Sequence, residues 1–202
     1  MEKYVVTISR QFASLGRTIS QRLSEKLEIP FWDRDIVEAA AKRMGHSVST
    51  ISDEEERANY SFFLRKKYRM SLATYSINDE IFETEKNIIL DEANRESCII
   101  VGRCGDYILR NLPNHLSVYI YAPYEARLKN CTETLMMEEK TARKMIREVD
   151  MARNYYRQKY CPGLTTDTDC RHLMIDSSRF GVEGTAEIIA QTARGVLEQQ
   201  WG

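Results

Sequence analysis

The sequence predicts an α/β fold in which a five-stranded parallel sheet is covered by helices on both faces, three layers in all. Three observations carry this expectation. Short apolar runs without a polar break recur at Tyr4 to Ile8, Cys98 to Val101 and Leu116 to Tyr121, the pattern of strands buried on both faces. Between them lie longer stretches with apolar residues at helical spacing. Strands that alternate with helices are joined by crossovers, so neighbouring strands run parallel and the connections are right-handed.

Taken in order, Tyr4 to Ile8 opens the sheet, and Ile19, Leu23 and Leu27 then place one apolar face on a helix from Gly16 to about Glu28, which Pro30 ends. Phe31 and Trp32 make a short second strand. An alanine-rich helix follows from about Arg34 to Arg43 and stops at Gly45, a C-cap residue. From Ser52 to Glu96 there is neither proline nor glycine. Leu64, Tyr68, Leu72 and Tyr75 form one helical stripe there, continued by Ile77, Ile81, Ile88 and Ile89, so one long helix or two are inserted between strands. That stripe is long enough to support a homodimer. Cys98 to Val101, Leu116 to Tyr121 and His172 to Asp176 supply the third, fourth and fifth strands. Helices are expected near Asp106 to Asn111, Tyr124 to Glu138, Thr141 to Tyr160 and Val182 to Gln199. No linker divides the chain, so residues 1–202 read as one domain.

Of the 202 residues 43% are hydrophobic and 29% charged, which excludes a disordered or collagen-like chain. Lys and Arg number 29 against 30 Asp and Glu, so the chain as a whole offers no field for nucleic acid or an anionic membrane. An anionic ligand must be held by a local cluster. No apolar run reaches the roughly 18 residues of a membrane span, and the opening MEKYVVTISR lacks the apolar core of a signal peptide. A cytoplasmic location is the resulting expectation. The five cysteines are scattered without a CxxC pair, which points to reduced thiols and away from a disulfide framework or a zinc site.

Ligands of an open parallel sheet sit at the carboxyl ends of the strands, which directs attention to the loop after the first strand: Ser9, Arg10, Gln11, Phe12, Ala13, Ser14, Leu15, Gly16, Arg17, Thr18. A phosphate-cradling loop of the GxxxxGK[ST] kind needs a strand before it, a helix after it, glycine where the backbone wraps the phosphate, a cation, and a hydroxyl for Mg²⁺. Gly16 and Thr18 are in register. Gln11 stands at the first glycine and Arg17 at the lysine, while Arg10 adds a second cation. A turn before an ordinary helix is the competing reading of the same residues.

Asp33 and Asp35 follow the second strand; at i, i+2 they cannot share a helix face, so one faces the site while the other serves the following helix. Arg103 ends the third strand, where it either grips a phosphate with its fork or anchors an ion pair. On Thr141 to Tyr160, Arg143, Arg147, Asp150, Asn154 and Arg157 gather on one side, with Arg153 at the margin. Such a stripe is a solvated face or a lid whose arginines close on a transferring phosphoryl group. Cys104 has no histidine or second thiol beside it in sequence and reads as a packing residue. His46, His115 and His172 fit no triad.

In the order ISRQFASLGRTIS, IPFWDRDIVEAAA, CIIVGRCGDYIL, VYIYAPYEARL and MIDSSRFGVEGTAEII, the chain resembles the cytidylate kinase-like family, a nucleoside monophosphate kinase branch of the P-loop NTPase fold. The resemblance spans nearly the whole chain and is most specific in the SRQF, GR and DSS segments. It implies a helical acceptor-binding excursion over about residues 33–97 and a lid over about residues 139–165. It implies ATP and Mg²⁺, with residues 9–18 on the donor phosphates, Thr18 and Asp33 at the metal, and Arg17, Arg147 and Arg157 as catalytic cations. Asp33, Arg103, Asp106 and Arg153 then contact an acceptor nucleotide, CMP or dCMP first. Two places depart from the pattern. Where the family's loops usually read GSGGR, this chain has Ala13, Ser14 and Leu15 before Gly16 and Arg17, so two glycine positions carry side chains, and Cys104 follows Arg103 where aspartate is usual. The altered loop leaves two other classes open, a nucleotide-binding regulator without turnover and a kinase for another small hydroxylated metabolite.

Overall fold

In a computed structural model, which describes residues 3–45, 47 and 77–198, the chain forms the α/β sandwich that the sequence predicts. Strands β1 (Val5–Arg10), β2 (Phe31–Trp32), β3 (Cys98–Val101), β4 (His115–Tyr121) and β5 (Leu173–Asp176) lie in the order β2-β3-β1-β4-β5. Every neighbouring pair is parallel. Helices α1 (Gly16–Leu27), α2 (Arg34–Met44) and α3 (Ile77–Arg95) come before β3. The short α4 (Gly105–Ile108) follows β3, and α5 (Tyr124–Lys129) follows β4 and runs into a π-helical turn over Asn130–Thr134. Helix α6 (Glu139–Tyr160) leads to β5, and α7 (Ser177–Glu198) ends the described chain.

The unbroken apolar strands are explained by what each face covers. Val6 and Ile8 of β1, Ile99 and Val101 of β3, and Leu116, Val118 and Ile120 of β4 point to a core shared with α1 and α7. Val5, Cys98 and Ile100 point the other way, into a core shared with α2 and α3. Each fully buried isoleucine or leucine contributes roughly 1.5–3 kcal/mol. Sequence and structure differ at the ends of elements. The helix expected from Val182 begins at Ser177, and the backbone at Gly181 (φ 64°, ψ −174°) breaks it, so the apolar spacing starts only beyond the break. The helix expected over Tyr124 to Glu138 stops as an α-helix at Lys129. The stripe Leu64, Tyr68, Leu72 and Tyr75, His46, and most of the Ser52 to Glu96 helix lie outside the described residues. No helix among the described residues is long and apolar enough to cross a membrane.

Candidate functional site

The carboxyl ends of β1, β2, β3 and β4 gather the loop after β1, Asp33, Arg103 and one side of α6. The loop's conformation is unusual for its composition. Ala13 (φ 59°) and Leu15 (φ 58°) both adopt left-handed backbone, each costing on the order of 1 kcal/mol for a residue with a Cβ. Left-handed residues interspersed along a loop turn successive amides toward one concavity, an anion-binding nest. Leu15 caps α1 without a side-chain hydrogen bond, so the amides of the first helical turn keep their donors for a ligand.

Contacts from β4, α5, the π-helical turn, α6 and α7 hold this strained loop in place. Gln11 N–H donates to the Ile120 carbonyl (3.0 Å), and its side-chain Oε1 accepts from Ala122 N–H (3.1 Å), so Gln11 ties the loop to β4. Phe12 N–H donates to Asp150 Oδ1 at 2.7 Å. Arg127 Nη1 reaches the Phe12 carbonyl at 3.4 Å, and Asn130 Nδ2 donates to the Ala13 carbonyl at 2.9 Å. Ser14 Oγ donates to the Gln11 carbonyl, while the Ser14 carbonyl accepts from Ser177 Oγ at 2.9 Å. The rings and methyls join in, because Phe12 and Ala13 pack on Leu128, Cys131, Ala142 and Ile146. Ser9 Oγ lies 3.4 Å from the Val118 carbonyl, further down the strand.

Arg10 occupies the middle of the site. A Cβ at Gly102 (φ 82°) would stand 2.3 Å from Arg10 Nη1, and one at Gly16 would stand 2.9 Å from the Arg10 Cβ and Cγ. The two glycines therefore form the channel through which the Arg10 side chain runs. Burial lowers the Arg10 pKa to about 10, and Arg153, Arg103 and Arg17 add to the effect while Asp33 opposes it. Asp33 lies between two arginines, with Oδ1 3.5 Å from Arg10 Nη2 and Oδ2 3.2 Å from Arg17 Nε. It makes no side-chain cap on α2, whereas Asp35 sits exposed in that helix's first turn. Arg153 Nη1 donates to the Arg10 carbonyl at 3.1 Å, and burial lowers its pKa too. Three guanidiniums thus surround one carboxylate, an excess of positive charge that suits a polyanion.

The remaining expected site residues divide. Arg103 (φ 54°) pairs with Glu85 Oε1 at 3.1 Å, and Glu85, only 1% exposed, also accepts from Tyr156 Oη at 3.0 Å. Arg157 turns from the loop to pair with Asp106 at 2.5 Å and to donate to the Asp169 carbonyl at 3.0 Å. Asp106 is buried, so these two sequence candidates meet each other. Arg147 stands exposed on α6. Cys104 packs with Phe82 and Cys161, and its hydrogen bond to Cys161 together with burial raises the thiol pKa. Sequence reading left Arg127 and Glu85 out and counted Asp150 only as part of a charged stripe. Its place as the one carboxylate on the stripe of Arg143, Arg147 and Arg157 was the available signal for Asp150.

Thr18 is exposed in the first turn of α1, the helix whose Arg17 pairs with Asp33. One hydroxyl and one carboxylate fit a Mg²⁺ that arrives on phosphates and keeps several waters. Among the described residues no group of three or more His, Cys, Asp or Glu could hold a metal by itself.

Known proteins share this architecture. An uncharacterized protein from Eubacterium ventriosum is 23% identical with TM-score 0.72, the match covering 95% of this chain and 99% of that one. Shikimate kinase from Acinetobacter baumannii, solved with shikimate, is 15% identical with TM-score 0.53, covering 99% and 96%. A sugar kinase from Janibacter is 13% identical with TM-score 0.51, covering 98% and 95%. These likenesses show the fold. No curated protein sequence matches the chain. The model of the cytidylate kinase-like family matches residues 5–179, a span that includes all five strands, the loop after β1, Asp33, Arg103 and α6, and the chain belongs to that family.

Proposed function

We propose that the chain transfers the γ-phosphoryl group of ATP to a small phosphorylated acceptor, with CMP or dCMP the foremost candidates. The observation that carries this reading is the excess of guanidinium around the nest, where Arg10, Arg17 and Arg153 outnumber Asp33, while the nearby Asp150 is paired with Arg127. Phosphoryl transfer requires positioning and spread positive charge more than covalent chemistry. In this reading the amides of the loop and the first turn of α1 bind the donor phosphates, and Arg17, with its side chain 56% exposed, closes over them. Mg²⁺, held by Thr18 and Asp33 when bound, neutralises donor phosphate charge. Arg103 takes the acceptor phosphate, its guanidinium set by Glu85, and α6 is the lid that brings Arg153, with Arg147 at its exposed edge. A phosphate acceptor is already an anion, so no strong base is needed.

A second reading is favoured by the same Glu85, because a buried carboxylate 3.1 Å from Arg103 already offsets the charge that an acceptor phosphate would use. The acceptor is then a hydroxyl compound, and Asp33 orients its attacking oxygen. Titration calorimetry with MgATP, followed by ADP release across CMP, dCMP, other nucleoside monophosphates, nucleosides and hydroxylated metabolites, separates the readings. Highest kcat/KM with CMP or dCMP is expected. Turnover confined to unphosphorylated acceptors selects the hydroxyl reading, and ATP binding with no acceptor releasing ADP would make the protein a regulator.

A further inference from the structure

We propose that Asp150 is a positioning residue that fixes the loop after β1 and the azimuth of α6 together, acting through Arg127 and the Phe12 peptide. Its carboxylate closes a ring. Oδ1 accepts from Phe12 N–H at 2.7 Å, Oδ2 pairs with Arg127 Nη1 at 2.5 Å, and that same Nη1 lies 3.4 Å from the Phe12 carbonyl. Both polar groups flanking Phe12 are therefore held by two side chains that are paired with each other.

Three physical requirements meet here. Strained left-handed backbone persists only where its surroundings over-determine it, and the loop places two such residues, Ala13 and Leu15, directly after Phe12. Arg127 is buried on α5 and needs an opposite charge to stay there; Asp150 is the carboxylate it pairs with. Finally, Arg153 lies three residues beyond Asp150, on the neighbouring turn of the same helix face, and donates to the Arg10 carbonyl. Fixing Asp150 on the loop consequently fixes how far Arg153 stands from the donor site. The catalytic part of this role rests on the phosphotransferase reading above; the structural part does not.

The test uses the full chain carrying Asp150→Asn, which keeps the shape and removes the charge, and separately Arg127→Lys, which keeps the charge and loses the fork. In ligand-free protein the Phe12 amide is followed by NMR-detected hydrogen exchange, and MgATP affinity and ADP release are measured alongside. Phe12 exchange should quicken roughly tenfold in Asp150→Asn, where the acceptor of the Phe12 N–H loses its charge, and by less in Arg127→Lys, where the acceptor stays but its forked partner is lost. ADP release at saturating MgATP should fall by about tenfold and the MgATP Kd should rise, because the loop amides bind the donor phosphates, whereas mere loss of folded protein would lower the number of binding sites and leave Kd unchanged. The double variant should be no worse than Asp150→Asn, since both act on one ring. Unchanged Phe12 exchange in both variants, or unchanged turnover with quickened exchange, overturns the proposal. If the wild type neither binds MgATP nor releases ADP, the phosphotransferase reading fails and the exchange data alone decide whether Asp150 holds the loop. Should Asp150→Asn not fold, Arg127→Lys carries the same comparison.

Discussion

Along α6, the turn that carries Asp150 and Arg153 faces the strained loop after β1, whereas the turn that carries Arg157 and Tyr160 is bound to the helices beyond the site. Arg157 pairs with buried Asp106 of α4, and Tyr160 stacks on Phe82 of α3 at 4.0 Å and donates to the Asn78 carbonyl. The first turn lies where guanidiniums outnumber carboxylates, and the second where each charge has its match. The difference teaches that one amphipathic helix can divide anchoring from chemistry along its length, with the same residue type in both roles. Arginine at an unbalanced position is available to a ligand; arginine already paired with a buried carboxylate is part of the scaffold.

The sharpest way to break this comparison is Arg157→Ala. Removal of one partner leaves Asp106, its side chain 2% exposed, as an uncompensated buried charge. A loss of about 3 kcal/mol is expected, which for a chain of this size lowers Tm by roughly 6–12 °C. A melting temperature within about 2 °C of wild type, together with a tenfold fall in kcat, would instead place Arg157 on the transferring group. Next in size, Arg153→Ala should lower kcat at least tenfold, about 1.4 kcal/mol, at little cost in ATP affinity. Stability should change by only about 1 kcal/mol, because one hydrogen bond to the Arg10 carbonyl is lost while repulsion between the two guanidiniums is relieved. Equal turnover in the mutant would make the loop-facing turn another anchor. Arg147→Ala, at an exposed position, should leave stability within about 0.5 kcal/mol, and a smaller fall in turnover than that of Arg153→Ala is expected.

The fold was legible because its signals are local. Cys98 to Val101 reads as a doubly buried strand from four consecutive residues, and alternate members do enter opposite cores. The loop was legible in outline for the same reason, as Gly16 and Thr18 stand in register with a strand before and a helix after. What escaped depends on contacts far apart in the chain. Arg127 and Asp150 lie 23 residues apart and Arg157 and Asp106 lie 51 apart, so helical periodicity alone cannot tell a solvated arginine from one that covers a buried carboxylate. Asp33 was expected at the site, but the i, i+2 spacing leaves open which of Asp33 and Asp35 serves the following helix, and it is the position of Arg10 and Arg17 that shows the Asp33 carboxylate drawn away from a capping role.

The smallest effect concerns what holds the loop. Ala13 has a left-handed backbone, and a glycine there would relieve on the order of 1 kcal/mol of strain. Against this stand the greater freedom of glycine in the unfolded chain, roughly 0.4–1 kcal/mol, and partial loss of the contact of the Ala13 methyl with the Leu128 cluster. Leu15→Gly would be a poorer probe, because its side chain also packs on the main core. For Ala13→Gly the sum is a change within about 0.5 kcal/mol of zero, whereas the same substitution inside a helix costs about 1 kcal/mol. Urea denaturation at equilibrium can measure that difference when an exposed helical alanine-to-glycine variant is run beside it. A loss of 1 kcal/mol or more at Ala13 would mean that its left-handed backbone carries no strain. The grips from Asp150, Arg127 and Asn130 would then be needed only to aim the loop, with no strain to offset, and the two turns of α6 would differ less in their structural roles than their charge balance implies.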